Sequence, residues 1–194
     1  MRISQLLATR GIHYLATRFG WHWLRSVAFD EKYRRGDWRF DTDGGRELTA
    51  VLDRYLRKGD ILVLGCGGAS ILKELEAEAF HSALGIDLSE EAIHLASRFA
   101  SDKIAFLVAD METFKCPQPF DVILFSDSLY YVASVRQVQL LRRLARDLKP
   151  GGALVATFAE ARRYQSILER IRRNFSVLEE CSFSGSDRHV IAFR

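Results

Sequence analysis

Short apolar segments alternate with amphipathic segments along most of the chain. Runs with the character of buried strands begin at Ile61, Ala83, Ile104 and Phe120, and a fifth covers Ala153–Phe158. Segments with helical periodicity lie before and between them: Leu48–Leu56, Ile71–Ala79, Glu90–Phe99 and Val135–Leu148. This alternation predicts an α/β fold with a doubly wound, mainly parallel sheet that is covered by helices on both faces, giving three αβα layers.

The end of the chain has a different pattern. Phe175–Phe183 and His189–Phe193 are apolar segments joined by the polar residues Ser184–Asp187, which predicts an antiparallel pair of strands. With 194 residues, of which 48% are hydrophobic, the chain is long enough to bury one core. Its three cysteines are an odd number without metal-ligand spacing, which argues against a disulfide framework and indicates a reducing, cytoplasmic location.

Residues 1–45 predict a helical segment in front of the sheet. Met1–Phe29 contains no acidic residue, and arginines recur among its apolar residues, as in a basic amphipathic helix. Three interpretations compete: a lid over a ligand, a helix that lies on a membrane surface, and a targeting peptide. We favour the lid. No apolar stretch approaches the roughly 20 residues of a membrane span.

The first predicted strand runs directly into a group of glycines. Gly65, Gly67 and Gly68 follow Ile61–Leu64, and a helix is expected to begin near Ser70. Glycine lets the backbone turn sharply and approach a ligand, and the N-terminus of a helix favours negative charge. Such a turn indicates a nucleotide-cofactor site.

Carboxylates follow the other predicted strands. Asp87 lies 22 residues beyond Gly65, where doubly wound folds place the acid that binds ribose hydroxyls. Asp110 follows the third strand, and Asp127 follows the fourth. Because the carboxyl ends of parallel strands meet at one edge of a sheet, we expect a single pocket to collect these residues.

Five motifs occur in a fixed order along the chain: Leu64–Ala69, Gly85–Ser89, Ala109–Met111, Phe120–Asp127 and Leu148–Gly152. Together they resemble the motifs of class I S-adenosylmethionine-dependent methyltransferases. The resemblance covers residues 46–194, which would form the methyltransferase domain. It implies a Rossmann-like, seven-stranded sheet with an antiparallel last strand, and S-adenosylmethionine as the cofactor.

The resemblance also implies roles for the matching positions. Gly65 and Gly67 would approach the methionine part of the cofactor, and Asp87 would bind the ribose diol. Asp110, with the backbone of Met111, would face the adenine. The full implied set of cofactor-binding residues is Leu64, Gly65, Cys66, Gly67, Asp87, Leu88, Asp110, Met111 and Ser126.

The segment after the fourth strand is the predicted place of the chemistry. Methyl transfer mainly requires alignment of the nucleophile and the removal of one proton. Asp127 is the candidate that would orient or deprotonate an acceptor hydroxyl or amine, and Tyr130 and Tyr131 would shape the acceptor slot. In the alternative interpretation, Asp127 only bonds a neighbouring loop and one of the two tyrosines belongs to the core.

Tyr33 and Trp38 are the candidate substrate-binding residues outside the sheet. They lie in an aromatic and charged stretch before the first core helix. This stretch is similar to that of methyltransferases acting on sugars or other small metabolites, including rhizobial enzymes that N-methylate a chito-oligosaccharide. The alternative is that both residues only pack the N-terminal helix onto the sheet.

Two positions depart from the family pattern. Val63 stands where the family usually has an acid that helps to hold the cofactor's amino group, and Ala69 replaces the usual third glycine. A scaffold protein that has lost cofactor binding is therefore an alternative hypothesis. A nicotinamide enzyme is another, but its fingerprint requires a glycine at Ser70.

The remaining observations narrow the acceptor. The chain lacks the Asn/Asp-Pro-Pro-aromatic motif of enzymes that methylate the amines of DNA bases, and we predict neither DNA binding nor a metal site. Arginines cluster on two predicted helices, but interleaved acids favour solvated helix faces over RNA binding. The sequence predicts methyl transfer to an O or N atom of a small molecule, with a sugar-containing acceptor among the candidates.

Overall fold

The computed structural model describes residues 22–36, 45–76, 78–183 and 185–194. The helices in these ranges are α1 His22–Arg35, α2 Gly45–Leu56, α3 Ser70–Glu74, α4 Glu90–Ala96, α5 Ser134–Ala145 and α6 Gln165–Asn174. Short 3₁₀ turns cover Ser97–Phe99, Leu129–Tyr131 and Ala161–Tyr164. The strands are β1 Asp60–Leu64, β2 Ser82–Asp87, β3 Ile104–Val108, β4 Phe120–Phe125, β5 Leu148–Phe158, β6 Val177–Ser182 and β7 His189–Phe193.

The strands form one seven-stranded sheet in the order β3-β2-β1-β4-β5-β7-β6. The pairs among β1 to β5 are parallel, and β7 is antiparallel to both β5 and β6. This arrangement confirms the predicted Rossmann-like α/β fold with its reversed last strand. The strand order changes direction between β1 and β4, so the carboxyl ends of β1, β2 and β4 border the crevice where open α/β sheets bind ligands.

The alternation of side chains along β1 explains the three layers. Leu62 and Leu64 lie in one buried apolar cluster with residues of α5 and α6. Ile61 and Val63 lie in a second cluster, which contains residues of α2 and α3. Successive side chains of a strand point to opposite faces, so a continuous apolar run is buried on both sides by helices.

Two predicted boundaries were wrong. The helix predicted over Ile71–Ala79 ends at Glu74, because Leu75 takes an extended conformation. The fifth strand begins at Leu148 rather than Ala153, because Leu148 pairs with Phe120 of β4. The Pro-Gly-Gly sequence at residues 150–152, which would ordinarily favour a turn, therefore lies inside a strand.

Lys149 holds this early part of β5 in place. Its Nζ atom lies 2.5 Å from Asp60 Oδ2 and 2.8 Å from Asp121 Oδ2, so it joins β1, β4 and β5. These contacts lie at the amino ends of β1 and β4, opposite the crevice. No helix within the described ranges is long and apolar enough to span a membrane.

Candidate active site

A pocket lies at the carboxyl ends of β1 to β4, where the sequence predicted it. It is open to solvent on one side, and the space between its lining residues amounts to about 770 Å³ when the adjoining open solvent is included. Its lining residues are Arg25, Phe29, Tyr33, Gly65, Cys66, Gly67, Ser70, Asp87, Leu88, Ala109, Asp110, Met111, Ser126, Asp127, Ser128, Tyr130 and Tyr131. Most of the predicted site residues are therefore brought together.

The glycine turn after β1 has a conformation that favours glycine. Gly65 has φ +70° and Gly67 has φ +53°. A Cβ atom on Gly65 would lie 3.0 Å from Ser128 Oγ, and one on Gly67 would lie 2.8 Å from the Tyr33 hydroxyl. Neither position has room for a side chain, so the bare backbone forms this wall of the pocket.

Asp87 lies beside this turn. Its Oδ2 atom accepts a 3.0 Å hydrogen bond from the Gly67 N–H, and its Oδ1 atom accepts one of 3.0 Å from the Ser89 N–H. Burial raises the pKa of the Asp87 carboxyl, and these backbone donors act in the opposite direction. Each carboxylate oxygen has more than one lone pair and can accept a further hydrogen bond from a ligand hydroxyl.

The loop after β3 is fixed from two sides. Asp110 Oδ1 accepts a 2.9 Å hydrogen bond from the Glu112 N–H. Arg143 of α5 donates to the carbonyl oxygen of Met111 at 2.8 Å and to that of Phe114. We had assigned Arg143 to a solvated helix face; this interpretation was wrong, because its guanidinium turns inward onto the loop.

Helix α1 covers part of the pocket and is tied to both loops. Arg25, Phe29 and Tyr33 are spaced four residues apart, so they share one helix face, and all three line the pocket. Asp30 accepts a 2.6 Å hydrogen bond from the Ser89 hydroxyl, next to the Asp87 loop. Tyr33 was predicted as a site residue, whereas Arg25 and Phe29 were not. Their four-residue spacing from Tyr33 would have placed them on the same face of a helix.

The paired tyrosines form an aromatic wall. Phe29 packs edge-on against Tyr131 with the ring centroids 5.2 Å apart, and Tyr130 stacks on Tyr164 with an interplanar angle of 1°. Burial raises the pKa of both Tyr130 and Tyr131, so their phenols stay protonated near neutral pH. Both rings line the pocket, so neither tyrosine is confined to the core.

Asp127 links the ends of β4 and β5. Its φ is +48°, its N–H donates to Thr157 Oγ1 at 2.9 Å, and its Oδ1 accepts from the Ala159 N–H at 2.7 Å. Burial raises the pKa of its carboxyl, and the Ala159 donor opposes this shift. The bond to a neighbouring loop, which we considered as an alternative, is thus present, while Asp127 also lines the pocket.

Three further predicted positions have distinct surroundings. Cys66 lines the pocket, and burial raises the pKa of its thiol. Leu64 has a fully buried side chain, and its carbonyl oxygen accepts a 2.6 Å hydrogen bond from the Ser128 hydroxyl. It therefore supports the glycine turn through its backbone, with its side chain in the core. Val63 lies in the apolar cluster beside α2. Trp38 lies outside the described residues, as do residues 1–21 of the predicted lid.

Within residues 22–36, 45–76, 78–183 and 185–194, no group of three or more His, Cys, Asp or Glu side chains is placed to hold a metal ion.

The family described as "Methyltransferase domain" matches residues 61–152, a range that contains all five sequence motifs and the loops lining the pocket. This match, together with the sequence motifs and the fold, supports a class I S-adenosylmethionine-dependent methyltransferase domain in this chain. The matched range includes the turn after β1 and the loops after β2, β3 and β4.

Curated relatives of this methyltransferase include two kinds of protein. A ubiquinone biosynthesis O-methyltransferase of Rickettsia akari is 32% identical over 115 residues, which is 57% of this chain and 45% of that protein. Nodulation protein S of Rhizobium tropici is 30% identical over 144 residues, which is 71% of this chain and 58% of that protein. The chain spans about half the length of the curated relatives it matches.

Solved methyltransferase structures share the fold. The N-methyltransferase NodS of Bradyrhizobium japonicum, in complex with S-adenosyl-L-homocysteine, has a TM-score of 0.67 at 22% identity and covers 85% of this chain and 97% of its own. An S-adenosylmethionine-dependent methyltransferase of Mesorhizobium loti has a TM-score of 0.60 at 24% identity and covers 78% and 99%. At these identities the likeness establishes the fold.

The residues of the pocket fit an adenosine cofactor carrying a methionine chain. The glycine turn leaves a cradle that a Cβ atom would fill, and the Asp87 carboxylate can accept further hydrogen bonds from hydroxyls. Within the part of the chain that the structure describes, the buried Nε atom of Arg25 has no hydrogen-bond partner, so a donor remains for a ligand acceptor.

Proposed function

We propose that this methyltransferase transfers a methyl group from S-adenosylmethionine to an O or N atom of a small-molecule acceptor. The observation that carries the proposal is the glycine turn, in which positive φ angles hold the Gly67 N–H on the Asp87 carboxylate. A protein that served only as a scaffold would have no physical need for this glycine turn beside a buried acid.

We assign the two ends of the pocket to different parts of the cofactor. Asp87 would accept hydrogen bonds from the ribose hydroxyls, and Gly65 and Gly67 would lie along the methionine chain. Asp110 and the Met111 backbone would face the adenine, held by Arg143. When bound, the cofactor supplies a methyl group that its sulfonium has already activated.

The protein's own contribution to the chemistry is alignment and proton removal. We assign proton removal to Asp127, whose Oδ1 accepts from the Ala159 N–H, so that Oδ2 would act on the acceptor. Burial raises the Asp127 pKa toward the value of an effective general base. Tyr130 and Tyr131 are neutral, so they would orient the acceptor through hydroxyl hydrogen bonds instead of acting as bases.

For the acceptor, we propose a sugar-containing molecule. Two observations support this choice. The match to nodulation protein S covers 71% of this chain, whereas the match to the O-methyltransferase of Rickettsia akari covers 57%. The rings of Phe29, Tyr33 and Tyr131 offer flat apolar faces beside polar hydroxyls, which suit the C–H face and hydroxyl groups of a sugar ring. A phenol, by analogy with the O-methyltransferase relatives, is the competing acceptor.

We propose that residues 1–45 act as a lid, of which α1 is the described part. Two contacts of α1 support this role: Asp30 bonds Ser89 in the loop after β2, and Arg25 bonds Glu112 in the loop after β3. We also propose a cytoplasmic location, because Cys66, Cys116 and Cys181 are all free thiols.

The test begins with calorimetric titration of the purified chain with S-adenosylmethionine, S-adenosylhomocysteine and, separately, NAD. We expect binding of the first two and none of NAD. Release of S-adenosylhomocysteine is then measured with amino-sugar oligosaccharides and with simple phenols as acceptors. Failure to bind either sulfur compound would support the scaffold hypothesis, and turnover with phenols alone would overturn the sugar assignment.

A further inference from the structure

Arg25 is a buried cation in the wall of the pocket. It is 7% exposed, and its Nη1 atom lies 2.7 Å from Glu112 Oε1 and 3.6 Å from Asp110 Oδ2. These contacts bind α1 to the loop after β3. They also neutralise the charge of the guanidinium, so the burial of the cation itself is accounted for.

The Nε donor of the same guanidinium is buried but unused. Among the described residues, the Arg25 Nε atom has no hydrogen-bond partner. A buried donor without a hydrogen bond is costly, so such groups are rare in native structures and call for an explanation. Because Nε and Nη1 belong to one small rigid plane, Nε lies only a few ångströms farther than Nη1 from the Asp110 carboxylate.

An acceptor beside a donor matches one part of adenine. The exocyclic amino group of adenine is a donor, and the ring nitrogens on either side of it, N1 and N7, are acceptors. The Asp110 carboxylate can accept from the amino group, and an adjacent N–H can donate to a neighbouring ring nitrogen. Besides the Met111 backbone, Arg25 Nε is a second donor close to Asp110.

We infer that Arg25 Nε donates a hydrogen bond to adenine N1 or N7 of the bound cofactor. This inference rests on the proposed function and extends it, because it makes α1 a part of the cofactor site. Cofactor binding then supplies the partner that Arg25 lacks and strengthens the attachment of α1. Phe29 and Tyr33, on the same face of α1, are held over the pocket by the same contact.

The inference is tested by calorimetry with S-adenosylhomocysteine and its 1-deaza and 7-deaza analogues, each of which replaces one ring nitrogen by C–H. The wild-type chain should bind one analogue about ten-fold more weakly than the parent compound, the scale of one lost hydrogen bond. In R25M, which keeps the apolar stem, this difference should shrink to less than about three-fold. R136M is the matched control, since Arg136 also pairs with Glu112, at 3.0 Å, but is 54% exposed. It should discriminate like the wild type.

Arginine labelled with ¹⁵N gives a second measurement that survives a folding defect in R25M. The Arg25 Nε–H resonance, identified by its loss in R25K, should shift when S-adenosylhomocysteine binds to the wild-type chain and shift less with the discriminated analogue. Equal binding of all three compounds by the wild type, an unchanged preference in R25M, or an unmoved resonance would each overturn the inference. None of these outcomes affects the proposed function, which fails only if the wild type binds neither S-adenosylmethionine nor S-adenosylhomocysteine.

Discussion

The Tyr33 hydroxyl of α1 lies 2.8 Å from the position that a Cβ atom on Gly67 would occupy. The glycine turn and the covering helix therefore meet at a single point. Gly67 was predicted for its backbone freedom, and Tyr33 was predicted to contact the substrate. The two positions depend on each other sterically, because the Tyr33 hydroxyl occupies the space that a side chain at position 67 would need.

Gly67→Ala should weaken S-adenosylhomocysteine binding at least ten-fold, because the new methyl group meets Tyr33 and disturbs the Gly67 N–H bond to Asp87. It should also destabilise the fold by about 1–2 kcal/mol, the cost of an alanine with positive φ. Calorimetry and urea unfolding measure the two effects. Gly151→Ala is the matched control, since Gly151 has φ +84° with no atom within 4 Å of its Cβ position. It should lose stability alone, and equal binding defects in both variants would contradict the steric argument.

Asp87→Ala should weaken cofactor binding by about 1–3 kcal/mol, the scale of hydrogen bonds lost in a desolvated site. The Gly67 and Ser89 N–H groups would also lose their acceptor. Asp53→Ala, at an exposed position of α2, serves as the control in the same titration and should bind like the wild type. Unchanged affinity in Asp87→Ala would remove Asp87 from the ribose site.

Asp127→Asn should leave S-adenosylhomocysteine binding intact while slowing methyl transfer by about 10²-fold or more. The asparagine Oδ1 can still accept from the Ala159 N–H, so the β4 to β5 link is preserved. Single-turnover kinetics at saturating acceptor isolates the chemical step. Tyr130→Phe is the comparison, because it removes a hydroxyl from the same turn without removing the proposed base. A normal rate in Asp127→Asn would leave Asp127 with its structural bond alone.

The raised pKa of Asp127 gives a prediction for pH. Its folded-state pKa lies above the unfolded value of about 3.9, so its contribution to stability is complete below that value and is lost as pH rises through the folded pKa. Activity has the opposite dependence, because the base must be ionised. In a plot of rate against pH, the rate should rise with a midpoint above the ordinary aspartate pKa. Asp127→Asn should abolish this rise. A rise retained in the variant would belong to another group.

Val63→Asp should destabilise the domain by about 2 kcal/mol or more and should not tighten cofactor binding. Val63 is 1% exposed in the apolar cluster beside α2, so a carboxylate there loses water without gaining a partner. Urea unfolding measures the change in the free energy of unfolding, and Val63→Ala is the control for the packing that is lost with the valine side chain. Tighter binding of S-adenosylmethionine by Val63→Asp would show that the family's usual acid still has a place to act in this chain.

The sheet and most of the pocket were predictable because their signals are local. Apolar runs define the strands, and parallel strands necessarily bring residues such as Asp87 and Asp110 to one edge. The start of β5 was not predictable, since pairing of Leu148 with Phe120 overrides the turn propensity of Pro-Gly-Gly. Arg25 was missed for a similar reason. Its helix spacing gives a shared face, but only the docking of α1 on the sheet decides what that face covers.

The inward position of Arg143 was also beyond sequence reasoning. An arginine on an amphipathic helix is usually solvated, and nothing in its neighbours indicates the carbonyl groups of Met111 and Phe114 as partners. Leu64 was predicted to bind the cofactor because it belongs to the glycine motif. Its side chain is buried in the core instead, because the alternation of side chains along β1 buries it together with Leu62.

Helix α1 is tied to the loop after β2 through Asp30 and to the loop after β3 through Arg25. In its proposed role as a lid, α1 would swing away from the pocket only when both ties release together. Exchange of spent for fresh cofactor would then include this opening step, and the frequency of the step would set an upper limit on turnover that no improvement at the reacting atoms could raise.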